Sequence, residues 1–240
     1  MPARVVFHLP ENYFNRYHKA KHLALYPLIE AVITRRGGTV ALAKRPGKAT
    51  APKVDGDLHI VETGSVQRAG YLNAALAYLP GFWHLDPAGV LADSSMQHRP
   101  FDAACVNPSL AEAFFHQLQR DFALARRSRY GQMTEATPLP QGCIAVFLQG
   151  PSPQRRGQAH LGYADLLRVV ARGAGGRPVL AKPHPLQKDM GQAVIAQVRA
   201  EGFDITETAA NVHDLLAAAA VSVSVNSAAA IEGFLHGTPA

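Results

Sequence analysis

The sequence predicts an α/β protein of two lobes, each built on a parallel sheet. Three observations carry this. From Cys143 onward, short apolar runs alternate with helical patterns, the order expected of a parallel sheet with helices on both faces. Near the N-terminus, "RVVFHL", an apolar-periodic helix and "TVALAKR" follow one another at the spacing of a βαβ unit. Between the halves lies "GQMTEATPLPQG", Gly131 to Gly142, polar and holding two prolines, the composition of a linker. The lobes are therefore expected at 1–135 and 142–240.

In order along the first lobe, "RVVFHL" (Arg4 to Leu9) is a strand and "PENYFNRYHKAKH" a polar, aromatic-rich loop. "LALYPLIEAVITRRGG" places apolar residues at helical spacing and ends in Arg35, Arg36, Gly37 and Gly38, a helix-stop signal. "TVALAKR" and "DLHIVETG" are the next strands. "LNAALAYLPGFWHLDPAGVLADSS" starts apolar and then reads as a loop rich in glycine, proline and aromatics. "NPSLAEAFFHQLQRDFALARRSRY" is a long helix reaching Tyr130, capped at Asn107 with Pro108 in its first turn.

The second lobe is more regular. "CIAVFLQ" (Cys143 to Gln149), "RPVLAKP", "FDITET" and "VSVSVNS" are strands. "YADLLRVVARGAGG", "LQKDMGQAVIAQVRAEG", "NVHDLLAAAA" and "SAAAIEGFLHG" are helices, and "GPSPQRRGQAHLG" is a loop. The glycines Gly173 to Gly176 follow a helix rather than a strand, so they stop that helix and are not a dinucleotide fingerprint. "HGTPA" reads as a turn entering a further strand, so the second lobe is expected to be shortened at its C-terminus.

Composition narrows the partners. The chain has 240 residues, 48% hydrophobic, and a net charge of +6 from 24 basic and 18 acidic side chains. That balance favours anionic partners such as nucleotides, phosphates, acidic glycans or anionic lipid surfaces. The basic clusters are short: "RRSR" (Arg126 to Arg129) and "QRR" (Gln154 to Arg156) read as solvated surface, and nucleic acid is not an expected partner. No apolar run approaches the roughly 20 residues needed to cross a bilayer, and the N-terminal run is too brief for a signal peptide. A cytoplasmic protein, peripheral at the inner membrane, is the expectation. Cys105 and Cys143 read as small core residues, and no metal-ligand spacing occurs.

Chemistry is expected outside the carboxyl ends of the strands. Lys182, Pro183, His184 and Pro185 directly follow one strand, and the prolines restrict the backbone that aims His184. Asn226 and Ser227 lie between the "VSVSV" strand and the next helix, whose free amides would form an anion site. Glu232, about one and a half turns further on, would reach ribose hydroxyls.

Together these residues resemble the nucleotide-binding lobe of a GT-B glycosyltransferase. More narrowly, "KPHP" followed by "NVHDLLAAAAVSVSVNSAAAIEGFLHGTP" resembles the capsule polysaccharide synthesis family that includes Kdo transferases using CMP-Kdo. The resemblance is clear over the last quarter of the chain. It implies a GT-B-like fold of two Rossmann-type lobes with parallel sheets. It also implies that His184, Pro185, Ser227 and Glu232 contact the CMP group, with Lys182 and Asn226 as weaker members and Gln149 fitting less specifically. "YLPGFWHLDPAGVLADSS" resembles a loop of bacterial polysaccharide-synthesis proteins; it holds Trp83, His84, Asp86, Ser94 and Ser95. There Asp86 is the candidate base or nucleophile, beside His184 as the second catalytic candidate, and Phe82 and Trp83 would stack on a sugar.

The resemblance thus implies transfer of Kdo or a related sugar from a CMP-sugar to a glycan or glycolipid acceptor, with no cofactor beyond the donor and with contact to inner-membrane or polysaccharide-export machinery. Two alternatives stand beside it: a UDP-sugar transferase or epimerase, and a non-catalytic export or glycan-binding accessory protein. Each residue also has a plain structural reading. Asp86 would form an Asp-Pro turn, Asn226 and Ser227 an ordinary helix cap, Glu232 a solvent-facing helix position, and His213 and Asp214 a helix start.

Overall fold

The structure, a computed structural model, describes residues 4–45 and 54–240. It is a mixed α/β chain that divides into two compact units, Met1–Ala103 and Ala104–Ala240.

In the first unit, β1 (Arg4–Leu9), α1 (Leu25–Arg35), β2 (Thr39–Lys44), β3 (Leu58–Glu62), β4 (Tyr71–Leu76) and β5 (Trp83–Asp86) build a sheet ordered β2-β1-β3-β4-β5. β5 is antiparallel to β4; the other pairings are parallel. Alternation along β1 sends Val5, Phe7 and Leu9 to one face, where they pack with Leu23, Tyr26 and Ile60. Gly37 ends α1 with φ +78°, and the Gly38 N–H donates to Ile33 O, so the predicted stop signal works as read. β4 falls on the apolar start of the segment from Leu72, and β5 lies in the stretch read as loop. Asn73 lies inside β4. Its buried side-chain amide is satisfied locally, donating to Val66 O and Asp86 O while accepting from the Val66 N–H.

The second unit opens with α2 (Pro108–Leu118), whose cap Asn107 accepts from the Leu110 N–H. One π-helical turn follows, Gln119–Leu124, and then the chain leaves helix. The expected helix to Tyr130 is therefore shorter, and residues 125–134 form an irregular arm. β6 (Cys143–Phe147), α3 (Ser152–Arg155), α4 (Tyr163–Arg172), β7 (Val179–Lys182), α5 (Lys188–Ala200), β8 (Thr206–Glu207), α6 (Val212–Ala218), β9 (Ala219–Ser224) and α7 (Ala229–Phe234) complete it. The short α3 lies within the stretch read as loop. The sheet order is β8-β7-β6-β9, all parallel. Alternation along β6 splits the core: Ile144 and Val146 join Leu167, Ile195 and Val198 of α4 and α5, while Cys143, Ala145 and Phe147 join Leu215, Leu216 and Ala229 of α6 and α7. Cys143 is core, as expected; Cys105 is exposed, against expectation.

The unit boundary at Ala103 lies upstream of the expected linker. Residues 104–141 belong with the second sheet because they are tied to it. Gln119 Nε2 donates to Leu235 O, Arg126 pairs with Asp214, and Leu139 packs under β6. The "HGTPA" segment runs beside β9, where the Ser222 N–H donates to Pro239 O at 2.8 Å. Among the described residues no helix is long and apolar enough to cross a membrane.

One glycine sets the packing of α5 against the loop after β7. A Cβ on Gly191 would stand 2.7 Å from Pro183 Cβ, and the proline ring cannot rotate away. Gly191→Ala is expected to destabilise the protein by about 1–3 kcal/mol, read as a lower midpoint in denaturant unfolding, even though alanine is the better helix former.

Candidate functional site

The strands of the second sheet deliver three loops to one rim: residues after Phe147, after Lys182 and after Ser224. Two of these loops are tied side by side. The Asn226 N–H donates to Gln149 Oε1, and Gln149 Nε2 donates to Asn226 Oδ1 at 2.9 Å. Gln149 and Asn226, both weaker members of the predicted set, thus form a reciprocal amide pair that closes the ends of β6 and β9.

His184 sits on the neighbouring loop, half-buried. The Leu186 N–H donates to its Nδ1 at 3.1 Å, and Pro185 opens the short turn that supplies that donor. A ring nitrogen that accepts carries no proton, so neutral His184 has its hydrogen on Nε2. Burial lowers its pKa, and the charge of Arg129 acts in the same direction. At neutral pH His184 is therefore an oriented neutral donor. Lys182 plays a different part. Its ammonium donates to Ala209 O and Ala210 O, and burial lowers its pKa. It anchors the loop ahead of α6 instead of facing the rim.

At the predicted anion site, the start of α7, three amides have partners within the protein. The Asn226 N–H is taken by Gln149, the Ser227 N–H donates to Ser224 Oγ, and Ser227 Oγ accepts from the Ala229 N–H. These amides are capped internally, and a helix of six residues offers only a small dipole. Ser227 accepts within the turn that precedes α7, Asn226 is held by Gln149, and the cap position of the helix is Ala228. Glu232 is not solvent-facing: it is 4% exposed, burial raises its pKa, and a hydrogen bond from Ser128 works against that rise.

Asp86 lies in the first unit, held by donors of its own loop. Its Oδ1 accepts from the N–H groups of Ala88, Gly89 and Ser95; its Oδ2 accepts from the hydroxyls of Ser94 and Ser95. Burial by itself would raise its pKa, but the donors of Ser95, Ala88 and Gly89 outweigh it and hold the carboxyl well below the usual carboxylate range. A carboxylate so saturated is a poor base and an occupied nucleophile. The predicted Asp-Pro turn is what forms, with Ser94 and Ser95 as its partners.

The arm at 125–134 supplies what the sequence reading missed. The Tyr130 ring meets the His184 ring edge-on at 4.9 Å between centroids, and the Arg129 guanidinium lies 5.8 Å from the Tyr130 centroid. Ser128, two residues back, is the partner of Glu232. One short stretch of arm thus touches both His184 and Glu232. "RRSR" reads as solvated surface in the sequence, and the tyrosine that follows it is the local hint of a contact. The arm and Asn211 enclose an open concavity of about 380 Å³.

The start of α6 holds the arm. Asn211 Nδ2 donates to Met133 O, His213 Nε2 donates to Arg127 O at 2.7 Å, and Asp214 receives a two-pronged bond from Arg126 at 2.9 and 2.6 Å. Arg126 has a left-handed backbone, φ +51°, costing about 1–2 kcal/mol. Its fork to Asp214, with further bonds to Thr134 O and Glu135 O, offsets that strain. His213 and Asp214 thus begin a helix, as expected, and also grip the arm. Among the described residues no cluster of His, Cys, Asp and Glu is arranged to hold a metal ion.

This architecture belongs to a known class of fold, a chain of α/β units with parallel sheets shared with a glycosyltransferase of solved structure. That structure is KpsC of Thermosulfurimonas dismutans, described as a beta Kdo 2,7 transferase. The likeness covers 99% of this chain and 77% of that one, with a TM-score of 0.52 at 13% sequence identity. At that identity the likeness is one of fold alone. No protein-family model and no curated protein sequence matches the chain.

Proposed function

We propose that the second unit binds a nucleotide-activated sugar at the rim carrying His184. The chain then transfers the sugar to a glycan or glycolipid acceptor, with a CMP-sugar of the Kdo type as donor. The observation that carries this is the convergence of Arg129, Tyr130 and the Nε2–H of His184 at the carboxyl end of a parallel sheet, where nucleotides bind in such folds. The fold likeness to a Kdo transferase supports the reaction class.

In the transfer, an acceptor hydroxyl oxygen bonds to the anomeric carbon, the bond from that carbon to the phosphate oxygen breaks, and the hydroxyl proton passes to water. The negative charge grows on the departing phosphate. An oriented imidazole N–H and the Arg129 guanidinium are the groups placed to stabilise it. Glu232, buried beneath the arm, acts through Ser128. Gln149 and Asn226 hold the two adjoining loops in register. Asp86, saturated by the donors of its own loop, is given a structural part in this proposal. The GT-B pairing of lobes, a cytoplasmic site and contact with the inner membrane are parts of the same proposal.

Calorimetric titration with CMP, CDP, UMP and UDP tests it. Selective binding of the cytidine nucleotides is expected. A preference for UMP and UDP would move the chain to the UDP-sugar enzymes, and no binding by folded protein would leave the accessory role.

A further inference from the structure

We infer that His213 and His236 are positioning residues: as a hydrogen-bonded pair they hold the Arg127 carbonyl and so fix the arm that brings Arg129 and Tyr130 to His184. This rests on the donor-site reading for its functional meaning, but not for its geometry.

The protons follow from the partners. A carbonyl only accepts, so His213 Nε2, 2.7 Å from Arg127 O, carries a hydrogen. His213 Nδ1 lies 3.0 Å from His236 Nε2, a contact that needs one hydrogen between the two nitrogens. In the neutral pair that hydrogen is on His236 Nε2. A single added proton is tolerated on the outer nitrogen of His236. Two are not, because N–H would then face N–H between two cations. The surroundings disfavour charge. His213 is 1% exposed, and burial lowers the pKa of both rings. The charged groups nearby are Arg126 and Asp214, paired with each other, and Arg127, whose guanidinium lies over the Phe122 ring. On α7, Glu232 faces Ser128. The Asp214 carboxylate, paired with Arg126, favours the charged form of both rings, and burial, the larger effect, outweighs it.

The chain of contacts from this pair to the rim is short. Arg127 O is gripped by His213, Ser128 by Glu232, and Tyr130 lies against His184. His236 follows α7 and His213 lies on α6, so the pair also links the two helices that flank β9.

Hydrogen–deuterium exchange of peptides spanning 125–134 tests the inference, with β6 peptides as the internal control for folding. His213→Leu and His236→Leu keep bulk but lose the hydrogen bonds. Each is expected to raise exchange in the arm by on the order of tenfold, with β6 unchanged. His236→Gln keeps an N–H donor for His213 Nδ1 and is expected to restore protection. It should also keep the arm protected to lower pH than the wild type, because a turned amide offers its oxygen to a protonated His213 Nδ1. Unchanged arm exchange in both Leu variants, or failure of Gln to restore it, overturns the inference. CMP titration of the same variants separates the two ideas. Wild type that binds CMP, with Leu variants that loosen the arm and lose binding, supports the positioning role. CMP affinity unaltered by a loosened arm overturns it. Wild type that binds no nucleotide refutes the donor-site reading, while the exchange results still decide whether the pair holds the arm.

Discussion

His184→Ala is expected to lower CMP affinity at least tenfold, and Arg129→Ala by about tenfold to a hundredfold, each measured by calorimetry at neutral pH. The His184 effect follows from orientation. The Leu186 N–H occupies Nδ1, so the ring presents only Nε2–H, and Pro183 and Pro185 fix the backbone behind it. The bond to a phosphate would be charge-assisted on the acceptor side. The Arg129 effect is electrostatic, and it should fade as salt rises because its guanidinium is exposed. His184→Gln, which keeps a donor without titrating, should retain more affinity than His184→Ala. Equal affinity in wild type and both alanine variants would remove this rim as the nucleotide site.

Asp86→Asn is expected to cost about 3 kcal/mol of stability while leaving CMP affinity unchanged. The carboxylate collects donors from Ala88, Gly89, Ser94 and Ser95, and at 5% exposure no water replaces them. An amide supplies one acceptor oxygen and turns an N–H₂ toward groups that donate. The pH dependence has a definite sign. The folded pKa lies below the ordinary value of 3.8, so the unfolded chain takes up this proton first as pH falls. The stabilisation is full well above 3.8 and is lost as pH drops through and below it. In the Asn variant that part of the acid sensitivity disappears. Loss of transfer activity with stability intact would instead return Asp86 to the chemistry.

Much of the second unit was legible along the chain. The strands at Cys143–Phe147 and Val179–Lys182 are short apolar runs bounded by turn residues, and the helices between them carry their own stops. The caps at Asn107 and Asn211 form as written, because a cap is a contact between residues two or three apart. The placement of His184 just past a strand was legible for the same reason. β5 was not, because its stretch is rich in glycine, proline and aromatics and only the pairing with β4 makes it a strand. The end of α2 was missed because no glycine or proline stops the chain between Leu118 and Tyr130, while Arg126 takes a left-handed turn paired with a distant carboxylate.

The sequence by itself determined the alternating parallel sheet of the second unit and the three loops at its carboxyl edge. It also set the histidine held between prolines on one of those loops. These are properties of periodicity, strand length and local stereochemistry. Tertiary structure alone decided that Arg129 and Tyr130 join that histidine, that Glu232 is buried under Ser128, and that the Asp86 carboxylate is saturated with donors. Those outcomes depend on which distant donors and acceptors satisfy each polar group once water is excluded, and no local spacing encodes that.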